Sequence, residues 1–191
     1  MQLAFSILSK KCLLTAWMPV FITNPCFSVC FLGGPSAEVY RNRKGYFSKN
    51  VQVVGGPSLE IQDIVTRWPG SSNDVTVFNA STIKHRLEAE EWSNSVIIGD
   101  SGYECKPYLL IPVANVTSRA EELYNESLIK TRNSVERLFG VWKRRFPILS
   151  TGCRVTHGTE EKAEFYIVAC AILRNFAQHR NSSRRGKPAL R

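Results

Sequence analysis

The spacing of apolar and polar positions divides the chain at Gly33-Gly34. Residues 12–32 run without a charged side chain and follow Lys10 and Lys11. Beyond them the pattern is that of an α/β protein. The stretch GYFSKNVQVV (45–54) alternates and is rich in β-formers, and LEIQDIVTRW (59–68) alternates Leu and Ile with polar residues. The pair reads as neighbouring strands joined by GGPS. PGSSND (69–74) is a turn cluster with Asn73 or Asp74 placed to cap a helix, and VTVFNASTIKHRLEAEEW continues at helical spacing. SVIIG (95–99) reads as a short buried strand, and KPYLLIPV (106–113) as extended chain. A long helix is predicted from Ser118 to Arg145, stopped by Pro147. Its Val135, Leu138, Phe139 and Trp142 recur at i, i+3, i+4 and i+7, which is one face. A last helix, EEKAEFYIVACAILRNFAQH, is apolar enough to be core. Strands, then mixed elements, then helices predict an α/β (α+β) domain.

The uncharged run at 12–32 has the outline of a signal peptide or a membrane span, but Pro19, Asn24 and Pro25 would disturb a spanning helix. Composition adds a second theme. Among 191 residues, 25 Lys and Arg face 16 Asp and Glu, a formal charge of +9. A surplus of that sign favours polyanionic partners, because phosphate contacts release condensed counterions. The six cysteines, 12, 26, 30, 105, 153 and 170, form no zinc-finger spacing, and an intracellular, reduced chain is expected. Sequons at Asn79, Asn115, Asn125 and Asn181 would matter only on a secretory route. No glycine-rich phosphate loop is present, so no nucleotide cofactor is expected.

Two acids stand out. Asp100 in VIIGDSGY closes a buried run, so its carboxylate emerges at a strand end, where sites on sheets gather. Taken alone it also suits an Asx-turn. Glu136, in RNSVERLFGVWKRRF, lies beside the apolar helical face and four residues after Arg132. Taken alone it suits a solvated ion pair worth about 0.3–0.5 kcal/mol. Together the two acids suit a phosphoryl-transfer centre, which needs hard carboxylate oxygens from distant segments around divalent cations. Lys130, Arg132, Arg137, Lys143, Arg144 and Arg145 share the same helical stretch and are candidates for phosphate contacts.

Five stretches, YRNRKGYFSKNVQVV, IVTRWPGSSNDVTVF, VIIGDSGYECKPYLLIPV, YNESLIKTRNSVERLFGVWKRRFPIL and IVACAILRNFA, resemble in order the Harbinger-type transposases and the nucleases derived from them. The resemblance implies an RNase H-like core, a mixed sheet flanked by helices. It further implies an Asp-Asp-Glu triad binding Mg²⁺ or Mn²⁺, DNA as substrate, a Myb-like DNA-binding partner protein and a nuclear location. Asp100 would be the second acid, Glu136 the third, and Asp74 of the WPGS-x-x-D motif an accessory metal ligand. The first acid belongs on the opening strand, in a segment like G-x-I-D-G-T-H some 15–20 residues before YRNRKGY. That position falls in NPCFSVCFLGG, which has no Asp, and the first acidic residue of the chain is Glu38. Gly56 stands where relatives often carry another Asp, and Asp63 is a mid-strand substitute expected to face solvent. The expected organisation is an unrelated apolar segment at 1–34, a nuclease domain at 35–178 that lacks a proper first strand, and a disordered basic tail at 179–191. The function implied is metal-dependent hydrolysis of DNA phosphodiester bonds by an incomplete triad. The alternative is a DNA- or protein-binding remnant without catalysis.

Overall fold

The computed structural model describes residues 20–30, 37–56, 58–91, 96–150, 153–154 and 160–185. Its strands are β1 (Val20–Thr23), β2 (Cys26–Cys30), β3 (Ser48–Gly55), β4 (Ile61–Pro69), β5 (Ile97–Ile98), β6 (Leu109–Leu110) and β7 (Cys153–Arg154). Its α-helices are α1 (Asp74–Asn79), α2 (Thr82–Glu88), α3 (Arg119–Arg145) and α4 (Glu160–Arg185). In the mixed sheet, β3 lies antiparallel between β4 and β1, β1 lies parallel to β5, and β5 lies parallel to β6. Beyond β1, β2 continues along β3 and takes β7 in parallel. The class, a mixed sheet flanked by helices, is as the sequence predicts.

The expected lack of a proper first strand is corrected. Phe21 opposes Gly55, Thr23 opposes Val53, Cys26 opposes Asn50 and Ser28 opposes Ser48. The register therefore passes from β1 to β2 without a slip, and residues 20–30 act as one long strand in the middle of the sheet. Their β-branched and aromatic side chains suit a strand covered on both faces, and Val20, Phe21, Ile22 and Phe27 are all buried. Pro25 would break a helix and normally avoids central strands. Here it falls past the end of two-residue β5 and before β7, so on that side no ladder bond is lost. On the other side its carbonyl still accepts from Val51 N–H at 3.2 Å. The apolar run thus serves the sheet over residues 20–30, while residues 1–19 and 31–36 lie outside the described residues. Among those described, no helix is long and apolar enough to cross a membrane.

One face of the sheet packs on α3 and α4: Phe27, Val51 and Val53 meet Leu138, Trp142, Ile167 and Ala171. Phe21 and Ile98 meet Leu128 and Val135 on the same side. The other face packs on α1 and α2, with Ile22, Val54 and Ile97 against Phe78, Ile83, Leu87 and Tyr103. The single helix expected after Asn73 is two. Ser81 interrupts it, accepting from Lys84 N–H at 3.3 Å and donating to the Phe78 carbonyl at 2.6 Å, the competition with helical bonding that serine offers.

α3 starts on a full capping box, Ser118 Oγ accepting from Glu121 N–H and the Glu121 carboxylate accepting from Ser118 N–H. Ser118→Ala is expected to cost about 1 kcal/mol, measured by urea unfolding. An unchanged midpoint would show the box to be dispensable. Asn125, one of the sequons, holds Val113 with paired bonds of 2.9 Å to its N–H and carbonyl. α4 is tied to the sheet by polar contacts as well as apolar ones. Asn175 brackets Ile61 on edge strand β4 at 2.9 and 2.7 Å, and Lys49, 1 % exposed, meets Glu164 at 2.5 Å. Only one face of α4 is core; Phe165, Ile172, Leu173 and Phe176 are exposed. The helix runs on to Arg185, into the stretch expected to be a tail, and residues 186–191 lie outside the described residues.

Candidate metal centre

Asp100 follows β5 at the strand end, as its motif suggests. Its Oδ1 accepts from Ser101 N–H at 2.5 Å and from the Ser101 hydroxyl at 3.1 Å, the local turn that aspartate favours. It also receives Arg132 Nη1 at 3.3 Å. That contact is possible because Val135 packs with Phe21 and Ile98, which lays α3 across the end of β5. Glu136 is exposed and stands four residues beyond Arg132, about 6 Å along the helix axis. The structure thus brings α3 to Asp100 through Arg132, one turn before Glu136. The pair is half exposed, so its own contribution to stability is small.

Asp74 opens α1. Asn73 caps the helix by accepting from Val75 N–H at 2.9 Å, and Asp74 Oδ1 accepts from Asn50 Nδ2 of β3 at 2.8 Å. Gly70 lets this WPGS turn close on β3: a Cβ there would stand 2.6 Å from the Ser48 carbonyl and 2.8 Å from that of Tyr40. Tyr103, the last residue of GDSGY, joins Asp74 to Asp100. Its ring lies against Gly99, where a Cβ would come within 3.0 Å of it, and meets Phe78 edge-on at 5.7 Å. The hydroxyl is buried without a hydrogen-bond partner. Burial pushes its pKa well above the usual phenol value, and the negative charges of Asp74 and Asp100 push it the same way.

Asp63 does not face solvent as expected. It is half-buried opposite Val54 on β4, and burial raises its carboxyl pKa against the opposing pull of Arg86. On β4 it is separated from β1 by β3, so it cannot stand in for a first-strand acid. The basic residues of α3 divide. Lys130, Arg137 and Arg144 are exposed at steps of seven, one stripe of the helix, and Arg145 is exposed on another side. Arg132 is engaged by Asp100. Lys143 is half-buried with its ammonium 5.2 Å from the centre of the Phe27 ring, and burial lowers its pKa.

DDE endonucleases work with divalent cations. Among the described residues, however, no group of three Asp, Glu, His or Cys gathers in a way that could hold one. The donor set present does not fit the metal: Asp100 shares its Oδ1 with Arg132, Asp74 shares its own with Asn50, and the central strand offers no carboxylate. Sequence reasoning missed Asn24, Asn50 and Tyr103. Of these only Tyr103 carried a signal, its place in GDSGY.

A long first strand between an antiparallel and a parallel neighbour, with acids at the end of β5 and on the crossing helix, defines an RNase H-like domain. Residues 27–175 match the family described as DDE superfamily endonuclease, and the chain belongs to that family. It is 30 % identical over 145 residues to the human protein named "Putative nuclease HARBI1" and 31 % identical to its mouse counterpart. Each alignment covers 75 % of this chain and 42 % of the relative, so the chain spans less than half the length of these proteins. It is also similar, at 26 % identity over 61 % of the chain and 32 % of the relative, to the Arabidopsis thaliana "Protein ALP1-like". No solved structure matches the chain.

Proposed function

We propose that this is a transposase-derived DDE endonuclease domain that still engages duplex DNA but, with two acids of its triad, does not cut it. The ancestral chemistry is divalent-metal-dependent hydrolysis of phosphodiester bonds, with Asp100 and Glu136 as the surviving catalytic acids and Asp74 as an accessory ligand. The observation that carries the proposal is the Arg132 guanidinium on Asp100, at a strand end where, among the described residues, no group of three acids gathers. Phosphoryl transfer depends on positioning and on charge stabilisation, and two acids, one already neutralised by an arginine, supply little of either. DNA binding asks less, since phosphate contacts through Lys130, Arg137, Arg144 and Arg145 need neither metal nor triad. A nuclear location and a Myb-like DNA-binding partner protein belong to the same proposal, through descent.

The test is a plasmid assay with purified protein in Mg²⁺ and in Mn²⁺. Duplex DNA is expected to be retained in a salt-sensitive manner and to stay supercoiled. Nicking that Asp100→Ala or Glu136→Ala abolishes would overturn the silent reading in favour of an active nuclease. Nicking untouched by both substitutions would overturn the site assignment itself.

A further inference from the structure

An amide occupies the middle of the central strand. Asn24 lies between β1 and β2, and the unbroken register on either side places it across from Gln52 of β3. Side chains alternate along a strand, so Ile22, Asn24, Gln52 and Val54 share a face. Ile22 and Val54 on that face pack with Phe78 and Tyr103. It is therefore the face of α1, whose Asp74 accepts from Asn50 on that same face of β3 at 2.8 Å.

The polar atoms on this face are not satisfied by one another. Both side-chain atoms of Asn24, both of Gln52, Asn50 Oδ1 and the Tyr103 hydroxyl are buried without a hydrogen-bond partner. Each such group costs about 1–3 kcal/mol when buried in an apolar core, so chains rarely gather several of them for packing alone. As the lining of a polar centre they are intelligible. Asn24 also lies 16 positions before Tyr40 of YRNRKGY, inside the interval in which the first acid of the triad is expected.

We propose that Asn24 is that first-acid position, carrying the neutral isostere of aspartate. An amide presents one oxygen to a cation where a carboxylate presents two. Its NH₂ group repels a cation, and it brings no negative charge to offset the Arg132 guanidinium on Asp100. The centre is short of one carboxylate at a named atom. Thr23, the adjacent residue, belongs to the opposite face with Phe21 and is not equivalent to it. This rests on reading the domain as a silent DDE endonuclease.

The experiment is calorimetric titration of the full chain with MnCl₂, without DNA, so that it is independent of cleavage. Asn24→Asp is expected to gain saturable binding at least about tenfold tighter than the wild-type chain, because affinity for hard cations follows carboxylate count. Adding Arg132→Gln is expected to tighten it further, while Thr23→Asp is expected to titrate like the wild type. Equal binding by wild type and Asn24→Asp, or a gain with Thr23→Asp as large as with Asn24→Asp, overturns the assignment. A new carboxylate near Asp74 and Asp100 adds repulsion, so Asn24→Asp/Asp74→Asn, which keeps the number of carboxylates unchanged, is titrated alongside. If neither variant folds with Mn²⁺ present, position 24 does not accept a carboxylate and the proposal fails. Nicking by the wild-type chain would refute the silent reading by a separate measurement.

Discussion

Replacing Trp142 with alanine is expected to remove about 3–5 kcal/mol of stability, a large part of what a domain of this size possesses. The indole is fully buried, meets Phe27 of β2 edge-on at 5.2 Å, and lies 6.2 Å from Phe139 one turn back on α3. It belongs to the cluster that joins β3, α3 and α4, so no single neighbour can move in to fill its volume. Its Nε1 has no hydrogen-bond partner. Trp142→Phe therefore loses volume but no polar contact, and is expected to cost much less than the alanine variant. Urea unfolding followed by circular dichroism separates the two. An alanine variant within 1 kcal/mol of wild type would mean that α3 is not seated on the sheet as described.

The second large effect concerns DNA. Lys130→Gln/Arg137→Gln/Arg144→Gln is expected to weaken duplex binding on the order of a hundredfold near 0.1 M salt, and to lower the salt slope by about three. The sequence offered six basic residues on this helix as equals, and the fold separates them. Those three project from one exposed stripe, whereas Arg132 is held at Asp100 and Lys143 is half-buried over Phe27. Arg132→Gln/Lys143→Gln should accordingly change the slope little. Filter binding across a salt series decides it: equal slopes for the two variants would remove the outward stripe as the DNA-facing surface.

The element pattern was largely legible in the sequence, because it is written in local periods. Alternation over 45–54 and 59–68 gave β3 and β4, and the i, i+3, i+4, i+7 run of Val135, Leu138, Phe139 and Trp142 marked the buried face of α3. The break at Ser81 was harder to see, since a serine inside a helical pattern is ambiguous until its hydroxyl finds a partner. The apolar run was harder still. Hydropathy measures how much a segment prefers to leave water but not what will cover it, and within residues 20–30 it is a sheet and its helices that cover Val20, Phe21, Ile22, Phe27 and Val29.

By itself the sequence determined which segments are strands and helices, the motifs that carry Asp74, Asp100 and Glu136, and the excess of positive charge. Each is a property of neighbouring residues or of a sum over the chain. Only the tertiary structure decided that residues 20–30 fill the centre of the sheet, that Arg132 meets Asp100, and that Asn24 turns toward the face of Asp74 and Tyr103. Those facts depend on strand register and on how α3 crosses β5. Contacts between segments far apart in the chain arise from the fit of packed surfaces, and no local period encodes that fit.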